Sequence, residues 1–123
     1  MPPDAPSERR SNASGHLEVV IRATSERAVV SLDGELDLAA APEVNALMQG
    51  VVEGSSAVLL DIEAVTFMDS AGLRCVLLCE RVCRDAGVPF ALTPGSPRVR
   101  RLFAVAGLLD WLPVPEVDPG TGA

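Results

Sequence analysis

The stretch from Val58 to Gly87, VLLDIEAVTFMDSAGLRCVLLCERVCRDAG, limits the possible folds more than any other part of the chain. It opens with an apolar run over residues 58–62 bounded by charge, the pattern of a buried strand. It closes with helical periodicity from about Ser70 to Ala86, and Gly87 stands where a C-terminal cap is expected. The turn between them, FMDSAGL, puts Ser70 at the start of the helix. At such a position backbone N–H groups face outward without intrahelical partners and tolerate an anion.

Plotted at about 100° per residue, the helix has two faces. Leu78, Val82, Cys75, Ala86, Cys79, Cys83 and Val76 share the arc expected to lie on a sheet. Opposite them Ser70, Arg74, Leu77, Arg81 and Arg84 follow at steps of four and three, with Leu73 beside them. This arrangement predicts an exposed basic ridge headed by a hydroxyl and carrying leucines, a candidate docking surface.

Taken in order, residues 1–15 are polar, carry three prolines and read as an unstructured tail. Two β-prone runs, residues 17–23 and 28–34, are joined by TSER and predict an antiparallel hairpin. A loop over residues 35–41 leads to a helix with Pro42 at its first position and Val44, Leu47, Met48 and Val51 on its apolar face. Residues 88–93 read as another strand. Ser96 then caps a third helix, with Val99, Leu102, Phe103 and Ala106 facing inward and Gly107 ending it. Residues 111–114 can form a last short strand, and residues 115–123 read as a second unstructured tail. The order β-β-α-β-α-β-α-β implies an α/β fold, mainly parallel, with right-handed crossovers placing the helices on one side of the sheet.

At 123 residues the chain is long enough for one domain with its own core. A net charge of −7 argues against nucleic acid as a direct partner, because phosphate binding needs a basic footprint. No apolar run is long enough to span a membrane and no apolar leader begins the chain, so a cytoplasmic protein is expected. The three cysteines, all on the packing arc, fit a reducing compartment.

Several chemistries are set aside on residue types. A serine hydrolase elbow needs G-x-S-x-G, but Met68 stands two before Ser70, and His16, the one histidine, adjoins the expected tail. All ten basic residues are arginine, which removes the lysine of a phosphate-binding G-K-[ST] loop and of a receiver-type phosphoacceptor site. Cys75 and Cys83 are about 12 Å apart along the helix axis, too far for the three thiols to converge on one tetrahedral ion. No enzyme activity, cofactor or metal is expected. Arg98, Arg100 and Arg101 form a local basic patch that reads as solvated.

The heptapeptide Phe67-Met68-Asp69-Ser70-Ala71-Gly72-Leu73 resembles the signature of the STAS domain, and the chain is similar to the anti-sigma factor antagonists. DGELD over residues 33–37 with Ala41-Pro42-Glu43, VLLDI over residues 58–62, and VRRLFAVAGL over residues 99–108 agree with it in order. The resemblance implies a single STAS domain over residues 16–114. It further implies that the unphosphorylated protein binds an anti-sigma factor that is also a serine kinase, releasing a sigma factor. Ser70 matches the family's phosphoacceptor, reset by a phosphatase, and the kinase brings the ATP. Asp69, Leu73, Arg74, Leu77 and Arg81 would dock beside it, assisted by Glu35 and Asp37. The alternative is a STAS module that never switches, a scaffold in a signalling assembly or a cytosolic subunit of a lipid transporter, with Ser70 only a cap. Two departures stand out. The final helix common in relatives is missing, and Ala41 replaces a hydroxyl cap before Pro42, at a cost of about 1 kcal/mol.

Overall fold

The computed structural model describes residues 7–108. They form five strands and three helices: β1 (Ser7–Ala13), β2 (Leu17–Ala23), β3 (Ala28–Leu36), α1 (Ala41–Glu53), β4 (Val58–Met68), α2 (Ser70–Asp85), β5 (Phe90–Leu92) and α3 (Pro97–Val105). One sheet holds the strands in sequential order. β1, β2 and β3 pair antiparallel, whereas β3, β4 and β5 pair parallel. The α/β class, the antiparallel β2–β3 hairpin and the parallel strands are as expected; one further strand, not expected, adds a second antiparallel pair, so parallel and antiparallel pairings are equal in number.

That strand is β1. Residues 7–13 were expected to be part of a tail, since SERRSNA shows no apolar alternation. Instead they pair along the whole of β2. Ala13 pairs with Leu17 across a three-residue loop, in which Ser14 and Gly15 both take positive φ, 57° and 83°. Glu8 accepts from Arg10 and Arg22, Arg10 also donates to Glu18, and Ala13 closes into the core. The backbone ladder to β2, with two exposed cross-strand ion pairs, Glu8–Arg22 and Arg10–Glu18, holds a polar edge strand that burial alone would not select. The strand expected over residues 111–114 and the tail over 115–123 lie outside the described residues.

Alternation sends Leu17, Val19, Ile21, Ala28, Val30, Leu32, Val58, Leu60, Ile62 and Leu92 to one face of the sheet. They form a single core with Val44 and Met48 of α1, Cys75, Val76 and Cys79 of α2, and Val99 and Phe103 of α3. The helices therefore cover one side. Ala106, expected to face inward, is exposed beyond the end of α3, which stops at Val105.

β4 is twice as long as the 58–62 run suggested. Two register shifts against β3, between Ser31 and Asp33 and between Gly34 and Glu35, insert bulges into β4. Each bulge changes the inward spacing from two residues to three, so Ile62, Val65 and Met68 all remain buried. The alternation of a strand is lost to the eye while the strand continues. It delivers the chain directly to Asp69 and α2.

Candidate functional site

The site begins at the junction of β4 and α2. Asp69 is the N-cap of α2, and its side chain accepts the Gly72 N–H at 2.9 Å. Ser70 is the first helical residue and is exposed. Its hydroxyl forms no hydrogen bond to the described residues. Asp69 thus satisfies the helix terminus, and Ser70 is not needed as a cap.

Gly72 explains the closeness of this junction to β3. A Cβ at this position would overlap the Leu36 carbonyl oxygen and press on the Met68 side chain. Only glycine lets the first turn of α2 seat against the end of β3, where Leu36 lies beside Met68 in register. Glu35 and Asp37 therefore stand at the same end of the sheet as Ser70. Glu35 is exposed, opposite exposed Phe67.

Asp37 has a structural task as well. Its Oδ1 accepts the N–H groups of Ala39 and Ala40, at 3.1 and 3.0 Å, and its carbonyl accepts that of Ala41. This Asx turn replaces the hydroxyl cap missing before Pro42. α1 starts at Ala41, one residue earlier than expected, with no side-chain cap from Ala40. Oδ2 meets His16 Nε2 at 2.9 Å. Partial burial raises the Asp37 pKa, but the hydrogen bonds from Ala40, His16 and Ala39 outweigh it and hold the carboxyl below its usual value.

His16 was placed beside a tail by the sequence; it occupies the β1–β2 turn and ties that turn to the β3–α1 loop. His16, Glu35 and Asp37 bring potential metal-ligating atoms within 4.8 Å of one another. Both oxygens of Asp37 are already engaged by the protein. Ser14 Oγ lies 3.3 Å from His16 Nδ1 and 3.2 Å from Nε2. A hydrolytic relay needs serine and aspartate on opposite ring nitrogens. Here Asp37 takes Nε2 and Ser14 bridges both, so the trio braces a turn.

The face of α2 is rotated from the angular reading. Leu73, expected beside the ridge, is only 9% exposed and packs in the core, so it offers no docking surface. Leu78, expected inside, is 38% exposed, and Ala86 is exposed too. Leu77 is half-buried, while Arg74 and Arg81 are exposed as expected. The cause is Gly72: a helix face that sinks onto β3 at Gly72 takes Leu73 with it and lifts Leu78. The cysteines remain inward. Cys75 Sγ donates to the Ala41 carbonyl, and Asn45 bridges from α1 to the Cys75 carbonyl and Cys79 Sγ. The neighbouring Cys75 thiol and burial push the Cys79 pKa well up, and burial raises Cys83 to about 11. All three are free, unreactive packing thiols.

Comparison with known proteins bears on the domain and its fold. A family model described as "Mlab, STAS domain" matches residues 19–114. A putative anti-sigma factor antagonist of Bordetella bronchiseptica, BtrV, is 32% identical over 87 residues, covering 70% of this chain and 75% of the relative. An anti-sigma F factor antagonist of Lysinibacillus sphaericus is 35% identical over 102 residues, covering 78% and 81%. Among solved structures, the anti-sigma factor antagonist SpoIIAA in its unphosphorylated form superposes with a TM-score of 0.65 at 24% identity, covering 94% of each chain. One from Mycobacterium paratuberculosis gives 0.62 at 23%, covering 95% of this chain and 91% of that one. These two speak for the fold.

Proposed function

The chain belongs to the STAS domain family, and from that premise we propose that it is an anti-sigma factor antagonist switched at Ser70. In this reading the unphosphorylated protein binds an anti-sigma factor that is also a serine kinase and so releases its sigma factor. Phosphorylation of Ser70 ends the binding, and a phosphatase restores it. The protein acts in the cytoplasm as substrate and ligand, and the kinase supplies the catalysis. No helix among the described residues is long and apolar enough to cross a membrane.

The observation that carries the proposal is the free Ser70 hydroxyl at the first position of α2, with its capping duty taken by Asp69. An acceptor must leave its structural hydrogen bonds to enter a kinase site, and among the described residues this hydroxyl has none to leave. Docking falls to the surface around it: Glu35 and Phe67 at the strand ends, Asp69 at its edge, and Arg74, Leu77 and Arg81 along α2. Asp37 supports this surface by holding the loop.

Incubation of the protein with its anti-sigma factor and ATP, followed by intact mass, tests the proposal. One phosphate on the wild type and none on Ser70→Ala is the expected result. An unmodified wild type would favour the non-switching scaffold.

A further inference from the structure

The exposed face of α2 carries a shallow groove of about 430 Å3 lined by Arg74, Leu77, Leu78, Glu80, Arg81 and Arg84. Three guanidinium groups and one carboxylate give it a local positive charge on a chain whose net charge is −7. The arginines are unequally occupied. Arg84 is held by Glu80 at 2.8 Å, Arg81 reaches Asp85 only at 3.8 Å, and Arg74 forms no ion pair among the described residues. Spare charge is therefore concentrated at Arg74 and Arg81, two turns and about 10 Å apart, with Leu77 and Leu78 between them.

We propose that this groove docks an acidic amphipathic helix of the protein partner. Carboxylates seven residues apart on that helix would meet Arg74 and Arg81, and an apolar side chain between them would cover Leu77 and Leu78. Arginine suits the task because its fork pairs a carboxylate with two hydrogen bonds. An anionic membrane fits less well. It would present its charge to the whole acidic molecule, whereas a helix feels mainly the charges within a Debye length of about 8 Å. Two leucines are also too small an apolar face to enter a bilayer.

The groove is linked to the switch, and this part of the inference rests on the function proposed above. Arg74 stands four residues after Ser70, where side chains on a helix are neighbours. A phosphate on Ser70 would take the Arg74 guanidinium, since phosphate offers strong acceptors and about −1.5 to −2 charges. Phosphorylation then removes the groove cation that has no ion pair among the described residues.

The test uses the full chain and a fluorescent helical peptide of about five turns bearing glutamates seven residues apart and leucines between them. A peptide with lysines in place of the glutamates is the control, and phosphatidylglycerol vesicles form a third arm. Anisotropy should show salt-sensitive binding of the acidic peptide alone. Arg74→Glu with Arg81→Glu should weaken it at least about tenfold, while Arg100→Glu on α3 should not. Phosphoserine incorporated at position 70 should weaken it like Arg74→Gln, with no further loss when the two are combined. Absent binding, equal binding of the basic peptide, indifference to the arginines, or binding to the vesicles instead would overturn the groove. Phosphorylation of Ser70 by the kinase is read separately by mass, so those results would leave the switch standing. Phosphoserine and Arg74→Gln effects that simply add would overturn the link between groove and switch.

Discussion

Asp69 accepts the Gly72 N–H, and that bond decides what the neighbouring serine is free to do. Aspartate and serine are both good N-caps, so the order D-S in the sequence leaves the division of labour open. The structure resolves it through register, because β4 ends at Met68 and leaves Asp69 in extended conformation. Gly72 makes the second contribution at this scale. An alanine in a helix interior is ordinarily worth about 1 kcal/mol over glycine. At Gly72 the added methyl meets the Leu36 carbonyl, a backbone atom that cannot swing aside. Gly72→Ala should therefore destabilise the protein by roughly 1–3 kcal/mol, read from urea unfolding. A gain in stability would show that α2 and β3 are not so tightly seated. The sequence placed Asp69, Ser70 and Gly72 together in the turn at the start of α2. It did not carry the role of His16, since its partner Asp37 is 21 positions away and meets it only through the hairpin turn.

Among the elements, those built on apolar periodicity were legible and those built otherwise were not. The β2–β3 hairpin and the inward face of α1 follow from alternation and from the spacing of Val44, Met48 and Val51. β1 was hidden because its side chains are polar and exposed apart from half-buried Ser11 and buried Ala13, so a backbone ladder and exposed ion pairs among Glu8, Arg10, Glu18 and Arg22 replace an apolar alternation. The second half of β4 was hidden because two bulges replace period two with period three. α2 was read as a helix with the correct start, but its face was rotated toward Leu73, since angular plots treat Gly72 as neutral. This rotation has a measurable consequence. Leu73→Asp places an unpaired carboxylate in the core and should cost on the order of 4 kcal/mol or prevent folding. Leu78→Asp should cost under about 1 kcal/mol while still impairing partner binding. Thermal scans and urea titrations of the pair check the assignment; equal losses would contradict it.

For the molecule as a whole, the helices cover one side of a mixed sheet, and the strand ends gather Glu35, Phe67 and Ser70 at one end. The exposed hydrophobic residues Leu38, at 73%, and Phe67, at 43%, belong to the loop and strand that border this end. The core of the molecule is thus separate from the surface on which a phosphate would act. A phosphate at the α2 terminus gains roughly 0.3–1 kcal/mol from the helix dipole when exposed, and Asp69 beside it opposes part of that gain. Those terms nearly offset within the free protein. In a complex they do not, because like charges and lost solvation cost several kcal/mol, and 1.4 kcal/mol is already about tenfold in affinity. The most direct measurement is isothermal titration of Ser70→Ala and Ser70→Asp against the anti-sigma factor, beside their melting curves. Tight binding by Ser70→Ala, binding by Ser70→Asp weakened at least about tenfold, and superimposable melting curves are the predicted result. Equal affinities would contradict the switch, and a collapsed melting curve for Ser70→Asp would show that the charge acts on folding instead.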